Sequence, residues 1–140
     1  VRGATTSTYG IVPDIGIALD VGHGDMPGVP EYQTIKLGNG SGIALGPHVH
    51  PKLHQRFVET AKNWNLNYSL EPSTRPGGTD AYAIQITQDG IPTALLSIPL
   101  RYMHTSVELI DMADIKNTAK LLAFFIGTIS NENLEGLLCY

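Results

Sequence analysis

The sequence predicts an α/β fold, because strong strand patterns and strong helix patterns alternate along the chain. Two aliphatic runs, residues 15–21 and 91–98, are short and bounded by Pro or Gly, which is typical of buried strands. Two longer stretches, residues 50–64 and 113–129, carry apolar residues at helical spacing. A sheet covered by helices is the architecture that fits this order.

Weaker local signals predict the remaining elements. A short helix is expected at residues 3–9, and short strands at residues 34–37, 43–45, 68–71 and 106–110. Thr79 is a natural N-cap for a helix over residues 80–88, which Gly90 ends. Asp111 is expected to cap the last helix.

Composition excludes several classes of protein. The 140 residues, 42% hydrophobic and 16% charged, suit one folded domain with a sizeable core. The net charge of −4 and the lack of a basic cluster argue against a nucleic-acid partner. The longest apolar stretch, residues 121–126, is too short to span a bilayer, so we expect no membrane partner. We interpret the single Cys139 as an incidental thiol that suits a cytoplasmic location.

Polar side chains lie where the two strong strands end. Asp20 falls near the end of the first strand, and His104 follows the second. In α/β proteins, sites form where buried strands meet solvent, and a carboxylate and an imidazole are plausible ligands of one metal site. Judged by spacing alone, Asp20 could equally well hydrogen-bond its own loop, and a lone His near a strand end is more often structural.

A glycine-rich loop provides candidates for substrate contact. Gly77 and Gly78 lack side chains that would keep a peptide backbone away, so they and Thr79 could line a substrate cleft. Alternatively, Thr79 and Asp80 only begin a helix.

Arg101 and Tyr102 precede His104 closely. Both could contact substrate, although an Arg stem packed on the surface explains Arg101 equally well. His23 and Asp25 are interpreted as residues of a Gly-rich loop, with the alternative that they line the site.

Three histidines, His48, His50 and His54, are close in sequence, but no Glu completes an HExxH pattern. We interpret them as part of a surface helix and the loop that leads into it. The sequence also lacks a GxSxG nucleophile elbow, and the Gly-rich residues 38–42 lack the Lys of a phosphate-binding loop.

Six blocks carry a family resemblance when they are taken together and in order. They are Arg-Gly-Ala (2–4), Ala-Leu-Asp-Val (18–21), Lys-Leu-Gly-Asn-Gly (36–40), Gly-Pro-His (46–48), Gly-Gly-Thr-Asp-Ala (77–81) and Ser-Ile-Pro-Leu-Arg-Tyr-Met-His-Thr (97–105). The sequence resembles the carboxyl-terminal half of the catalytic domain of the M42 metallo-aminopeptidases. These include glutamyl and tetrahedral aminopeptidases and some proteins labelled endoglucanase. The resemblance implies the zinc-exopeptidase-like (phosphorylase/hydrolase-like) three-layer α/β/α fold, here as a partial domain over residues 1–140 without the amino-terminal half and the inserted β domain.

The resemblance also implies a function, the release of N-terminal residues from peptides by two-metal hydrolysis. Two divalent ions per site, zinc or cobalt with manganese as an alternative, are then expected. Asp20 would be a ligand of one ion and His104 of the other. Residues Gly77, Gly78, Thr79, Arg101 and Tyr102 would contact substrate, and Asp80 would support the ligands without touching metal. The partners implied are peptide substrates and further copies of the protein, in a tetrahedral dodecamer.

The sequence departs from the family pattern in one important respect. Only Asp20 and His104 have counterparts among the family's five metal ligands, and the Glu-Glu pair that supplies the general base is expected upstream of Val1. Ser41 stands where the family has Pro. We therefore expect a piece of a longer enzyme that is inactive alone. The alternatives are a non-catalytic fragment or docking module and, less favoured, a glucan hydrolase, for which no opposed pair of carboxylic acids can be named.

Overall fold

The computed structural model of the protein describes residues 1–75 and 77–138. Its helices are α1 (Arg2–Ile11), α2 (Pro51–Asn63), α3 (Asp80–Gln85), α4 (Met112–Gly127) and α5 (Asn131–Leu138). Its strands are β1 (Gly16–His23), β2 (Ser41–Leu45), β3 (Tyr68–Pro72), β4 (Thr93–Arg101) and β5 (Leu109–Ile110), and a 3₁₀ turn spans Glu31–Gln33. Most predicted elements are therefore present with shifted ends.

The strands form one mixed sheet in the order β1-β4-β2-β3, with the short β5 paired to the end of β4. Strands β1 and β4 are parallel neighbours, with Asp20 opposite Ser97. Strand β2 runs antiparallel to β4 and parallel to β3. Because β1 and β4 are parallel, their carboxyl ends lie at the same edge of the sheet, and the residues that follow each strand meet there.

One face of the sheet carries the larger core. Ile43 and Leu96 pack there against α2 and α4. On α2, Leu53, Phe57 and Ala61 recur every four residues and are fully buried, which explains why this segment is a helix. The Phe57 ring stacks on Phe125 of α4 with centroids 3.8 Å apart.

The opposite face carries smaller side chains. Ala18, Ala44 and Leu95 pack against Ala81 of α3, and α1 packs against α3. The helices thus lie on both faces of the sheet, which confirms the three-layer α/β/α prediction. Small residues on this second face leave room above the sheet, and the cavities described below lie there.

Two local predictions were wrong. Residues 34–37 do not form a strand, because only Ile35 forms a bridge, to Gly24, before the chain turns at Gly38 with φ +79°. The helix that begins at Asp80 ends at Gln85, since Gln88 adopts φ 56° and the chain turns before Gly90. Thr79 lies at the N-cap position, but its hydroxyl makes no capping bond.

The prediction for the last long helix is confirmed at its start. Asp111 caps α4 by accepting a hydrogen bond from the Ala113 N–H at 2.8 Å. Asp114, in the first turn of the helix, is 1% exposed, and its two carboxylate oxygens accept from the Gly38 and Gly40 N–H groups at 2.8 Å. A Cβ at Gly40 would collide with the Asn67 carbonyl. The Gly-rich loop before β2 is thus hydrogen-bonded to Asp114 of α4 and packs closely against the backbone of Asn67.

The surface position proposed for the histidines was also wrong. His48 and His50 are only 2% and 4% exposed, and a ring nitrogen of the half-buried His54 lies 2.8 Å from the Ala44 carbonyl oxygen. The reason is that α2 packs its amino-terminal end onto the sheet and covers the loop before it. None of the described helices is long and apolar enough to cross a membrane. Cys139 lies outside the described residues.

Candidate metal and substrate site

A cavity of about 320 Å³ lies at the shared carboxyl edge of β1 and β4. Residues from four segments line it: Asp20, Val21, Gly22 and His23 of β1, Glu71 of β3, the loop residues Gly77, Gly78 and Thr79, and Met103 and His104 after β4. The two predicted metal ligands therefore face one space together with the predicted substrate loop. The parallel pairing of β1 with β4 brings them there.

Asp20 is half-buried, and its Oδ1 accepts a hydrogen bond from the Val21 N–H at 2.8 Å. This bond is the loop-stabilising role that spacing alone left open. It uses one carboxylate oxygen, and no hydrogen bond within the described residues engages Oδ2. Asp20 can therefore keep this local bond and still offer an oxygen to a ligand in the cavity.

His104 lies in a tight turn after β4. Its φ is 62°, a left-handed conformation that costs a non-glycine residue about 1 kcal/mol or more. Its N–H donates to Glu108 Oε1 at 2.8 Å, and the Thr105 hydroxyl donates to the Tyr102 carbonyl at 2.6 Å. The turn is thus held by its own hydrogen bonds and leaves the imidazole exposed at the cavity.

The donor chemistry suits a divalent metal. A carboxylate oxygen and a neutral imidazole nitrogen are ordinary ligands of zinc and of related ions. However, the described residues contain no group of three or more His, Cys, Asp or Glu side chains that could hold a metal ion. Asp20 and His104 therefore fit a part of a metal site, and the remaining ligands would have to come from other residues.

Glu71 was missed by the sequence reasoning, yet it lines the same cavity. Its carboxylate reaches across the sheet to two glycines. Oε1 lies 2.9 Å from the position that a Cβ would occupy at Gly22, and Oε2 lies 3.1 Å from the position that a Cβ would occupy at Gly42. Two glycines thus leave the space that the carboxylate fills. The signal was an acidic residue inside a short strand, on the side opposite the exposed Leu70.

The environment of Glu71 disfavours its charge. Burial raises the pKa of its carboxyl, a hydrogen bond from the Ser97 hydroxyl opposes the rise, and the nearby charge of Asp20 adds to it. Of the three influences on the pKa, burial is the largest. A perturbed acid in a cleft is a candidate for function.

Three other predicted site residues do not line the cavity. Arg101 Nη2 lies 2.7 Å from Asp25 Oδ2, and the same Asp25 carboxylate accepts from the Leu37 N–H at 3.1 Å. The hydrogen bond from Leu37, followed by that from Arg101, lowers the pKa of Asp25. The exposed Tyr102 donates its N–H to the sulfur of Met26, and Asp80 begins α3.

Comparison with known proteins agrees with this architecture. The family model described as M42 glutamyl aminopeptidase matches residues 1–121. The chain is 45% identical over 120 residues to a lysyl aminopeptidase of Pyrococcus furiosus, a match that covers 86% of this chain and 35% of that protein. A putative aminopeptidase of Acetivibrio thermocellus is 41% identical over 125 residues, with 86% and 37% covered.

Solved structures also match closely. A TET aminopeptidase from the marine sediment archaeon Thaumarchaeota archaeon SCGC AB-539-E09 superposes with a TM-score of 0.88 at 30% identity, over 97% of this chain and 39% of that one. An aminopeptidase from Desulfurococcus kamchatkensis gives 0.87 at 33% identity, over 98% and 40%. The chain thus spans between a third and two fifths of these relatives. On the strength of the matched residues 1–121 and the shared fold, the chain belongs to the M42 peptidase family.

Proposed function

We propose that this chain forms the carboxyl-terminal part of the catalytic domain of a metal-dependent aminopeptidase, which releases N-terminal residues from peptides. One observation carries the proposal: Asp20 and His104, which are far apart in sequence, line a single cavity with Gly77, Gly78 and Thr79. Membership of the M42 family supports it, because aminopeptidases of that family are generally metal-dependent.

In this proposal, Asp20 and His104 hold divalent ions together with donors from the rest of the protein. Two ions per site are expected, zinc or cobalt with manganese as an alternative. When bound, such ions polarise a carbonyl and lower the pKa of a water molecule. The general base would be a Glu upstream of Val1.

The chain's own residues shape the place where a peptide would lie. Gly77 and Gly78 present backbone without side chains, and a Cβ at Gly78 would meet nothing within 4 Å. An extended peptide can therefore approach this loop closely. In the proposed assembly, copies of the protein form a tetrahedral dodecamer, and sizing of the purified protein tests the number of copies. We propose that the assembly is located in the cytoplasm.

The test uses the full-length gene product and a panel of aminoacyl-p-nitroanilides. The protein is stripped with a chelator and reloaded with zinc, cobalt or manganese. Asp20→Asn and His104→Asn should each lower kcat/KM on the order of 100-fold or more, and should lower the metal bound per protein as measured by elemental analysis. Asp14→Asn, at an exposed position outside the cavity lining, is the matched control. The proposal fails if no substrate is hydrolysed with any of the metals, or if both variants bind metal and turn over substrate normally.

A non-catalytic module remains the main alternative, because the described residues supply only part of a ligand set. The reading frame upstream of Val1 and the intact mass of the native protein distinguish the two. A Glu-Glu pair shortly before Arg2 supports the enzyme, whereas a native protein without such a pair supports the module.

Glucan hydrolysis is the less favoured alternative. The cavity holds two carboxyl groups, those of Asp20 and Glu71. Both residues alternate onto the same face of the sheet as Ala18 and Ala44, so they share one wall. Glycosidases need the two acids on opposite sides of the scissile bond. A soluble glucan in the substrate panel tests this alternative directly.

A further inference from the structure

A smaller cavity adjoins the candidate site. Its volume is about 100 Å³, and it shares Glu71, Gly77 and Thr79 with the larger cavity. The other lining residues are Ala44, His48, Ser73 and Leu95. A space of this size, roughly that of three waters in the liquid, holds the end of one side chain.

The walls of this side cavity carry polar atoms without partners. His48 is 2% exposed, and its Nδ1 has no hydrogen-bond partner within the described residues. The same holds for Glu71 Oε2 and Thr79 Oγ1. A buried polar atom without a hydrogen-bond partner destabilises the folded protein. Three such atoms around one space indicate a polar ligand that forms hydrogen bonds with them.

The charges of the site select the ligand further. Among the described residues no Lys or Arg lines either cavity, while Glu71 lies in the wall of both. Burial lowers the pKa of His48, so its imidazole stays neutral and can accept a hydrogen bond. An ammonium group donates three hydrogen bonds and carries the charge that complements a carboxylate. A carboxylate ligand would instead face Glu71 with no cation beside it.

The remaining walls suit an apolar stem. Ala44 and Leu95 are 2% and 5% exposed and face the same side cavity. A flexible aliphatic chain with a charged end buries its methylenes along such surfaces while its head group finds polar partners. A lysine side chain has this combination of stem and head.

We propose that Glu71 is a specificity residue, which binds the positively charged side chain of the substrate's first residue in the side cavity formed with His48 and Thr79. The stem lies along Ala44 and Leu95, and the ammonium contacts the Glu71 carboxylate. The protein therefore prefers peptides that begin with Lys and disfavours those that begin with Glu. This assignment rests on the proposed aminopeptidase function.

The test compares p-nitroanilides of Lys, norleucine and Glu with the metal-loaded full-length gene product. Norleucine has the aliphatic stem of Lys and lacks only the ammonium, so the ratio of the two kcat/KM values isolates that group. We expect the Lys substrate to exceed norleucine at least about tenfold, and Glu to be the poorest. In Glu71→Gln the Lys to norleucine ratio should fall about tenfold or more, mainly through KM. Glu132→Gln, at an exposed position on α5, should leave the ratio unchanged.

The outcomes separate this assignment from the proposed function. If the protein hydrolyses these substrates but Glu71→Gln keeps the ratio, or lowers all three rates equally, the side-chain assignment is overturned while the aminopeptidase stands. An equal loss would indicate that Glu71 contacts the α-ammonium group common to all substrates, or that it stabilises the folded structure. A melting temperature of Glu71→Gln at or above that of the wild type excludes misfolding as the cause. If none of the substrates is hydrolysed, the proposed function fails and the assignment fails with it.

Discussion

Arg101 and Asp25 form an ion pair, with Nη2 2.7 Å from Oδ2, that joins the end of β4 to the loop after β1. The same carboxylate accepts the Leu37 N–H, so one side chain connects three segments. This contact explains why Arg101, expected at the substrate, does not line the cavity: it braces the loop that follows His23.

Asp25→Asn tests this bracing role. Because the pair is partly exposed, the free energy of unfolding should fall by only about 0.5–1 kcal/mol at neutral pH, measured by urea unfolding. The native pKa of Asp25 lies below its ordinary value of 3.8, so the stabilisation is present above 3.8 and is lost as the pH falls through the lower native pKa. The difference between wild type and variant should therefore shrink below about pH 3.8. A large rise in KM for Arg101→Lys without loss of stability would instead indicate that Arg101 contacts the substrate.

Asp114 should be far more sensitive than its neighbour Asp111. Both Asp114 oxygens accept hydrogen bonds from backbone N–H groups. An Asn offers only one oxygen, so one of these backbone N–H groups would face the side-chain NH2 group and lose its acceptor. Asp114→Asn should cost about 1–3 kcal/mol of unfolding free energy. Asp111→Asn is the matched control, since Asn caps a helix as well as Asp. Equal effects of the two changes in chemical denaturation would show that the loop does not depend on Asp114.

Glu71 should give stability an unusual pH dependence. Its native pKa is raised from 4.5, so the folded state holds the proton over a range where the unfolded state has lost it. The cost of ionising it is therefore absent below about 4.5 and grows as the pH rises through the native pKa. Glu71→Gln should be more stable than the wild type at neutral pH, and this difference in stability should disappear as the pH is lowered. Melting temperatures of both proteins in chelator between pH 4 and 8 check this, and a constant gap would contradict it.

Gly22 and Gly78 should respond oppositely to alanine. A Cβ at Gly22 would lie 2.9 Å from Glu71 Oε1 and 3.0 Å from the Ser97 Cβ, so Gly22→Ala should cost about 1–3 kcal/mol through crowding. A Cβ at Gly78 would meet nothing within 4 Å, so Gly78→Ala should leave the unfolding free energy unchanged. If peptide passes along this loop, Gly78→Ala should nevertheless raise KM. An unchanged KM would remove Gly78 from the proposed cleft.

The sequence by itself determined the elements whose patterns are local. The aliphatic run of β4 and the apolar stripe of α2 bury their side chains, so their periodicity was sufficient. Strand β1 and helix α4 form where predicted, but Leu19 and Ile126 are exposed, so periodicity placed these two elements without deciding which of their side chains are buried. The family blocks that contain Asp20 and His104 are likewise contiguous in sequence. The bridge at Ile35 and the early end of α3 at Gln85 were misjudged, because neighbouring segments decide how far weak patterns extend.

Only the tertiary structure decided which of these residues share a space. The pairing of β1 with β4 set Asp20 and His104 at one cavity, and the glycines at 22 and 42 let Glu71 reach across the sheet to join them. Packing also buried His48 and turned Arg101 toward Asp25. Burial, charge pairing and the pKa of a side chain depend on neighbours that are remote in sequence, and no local pattern records them.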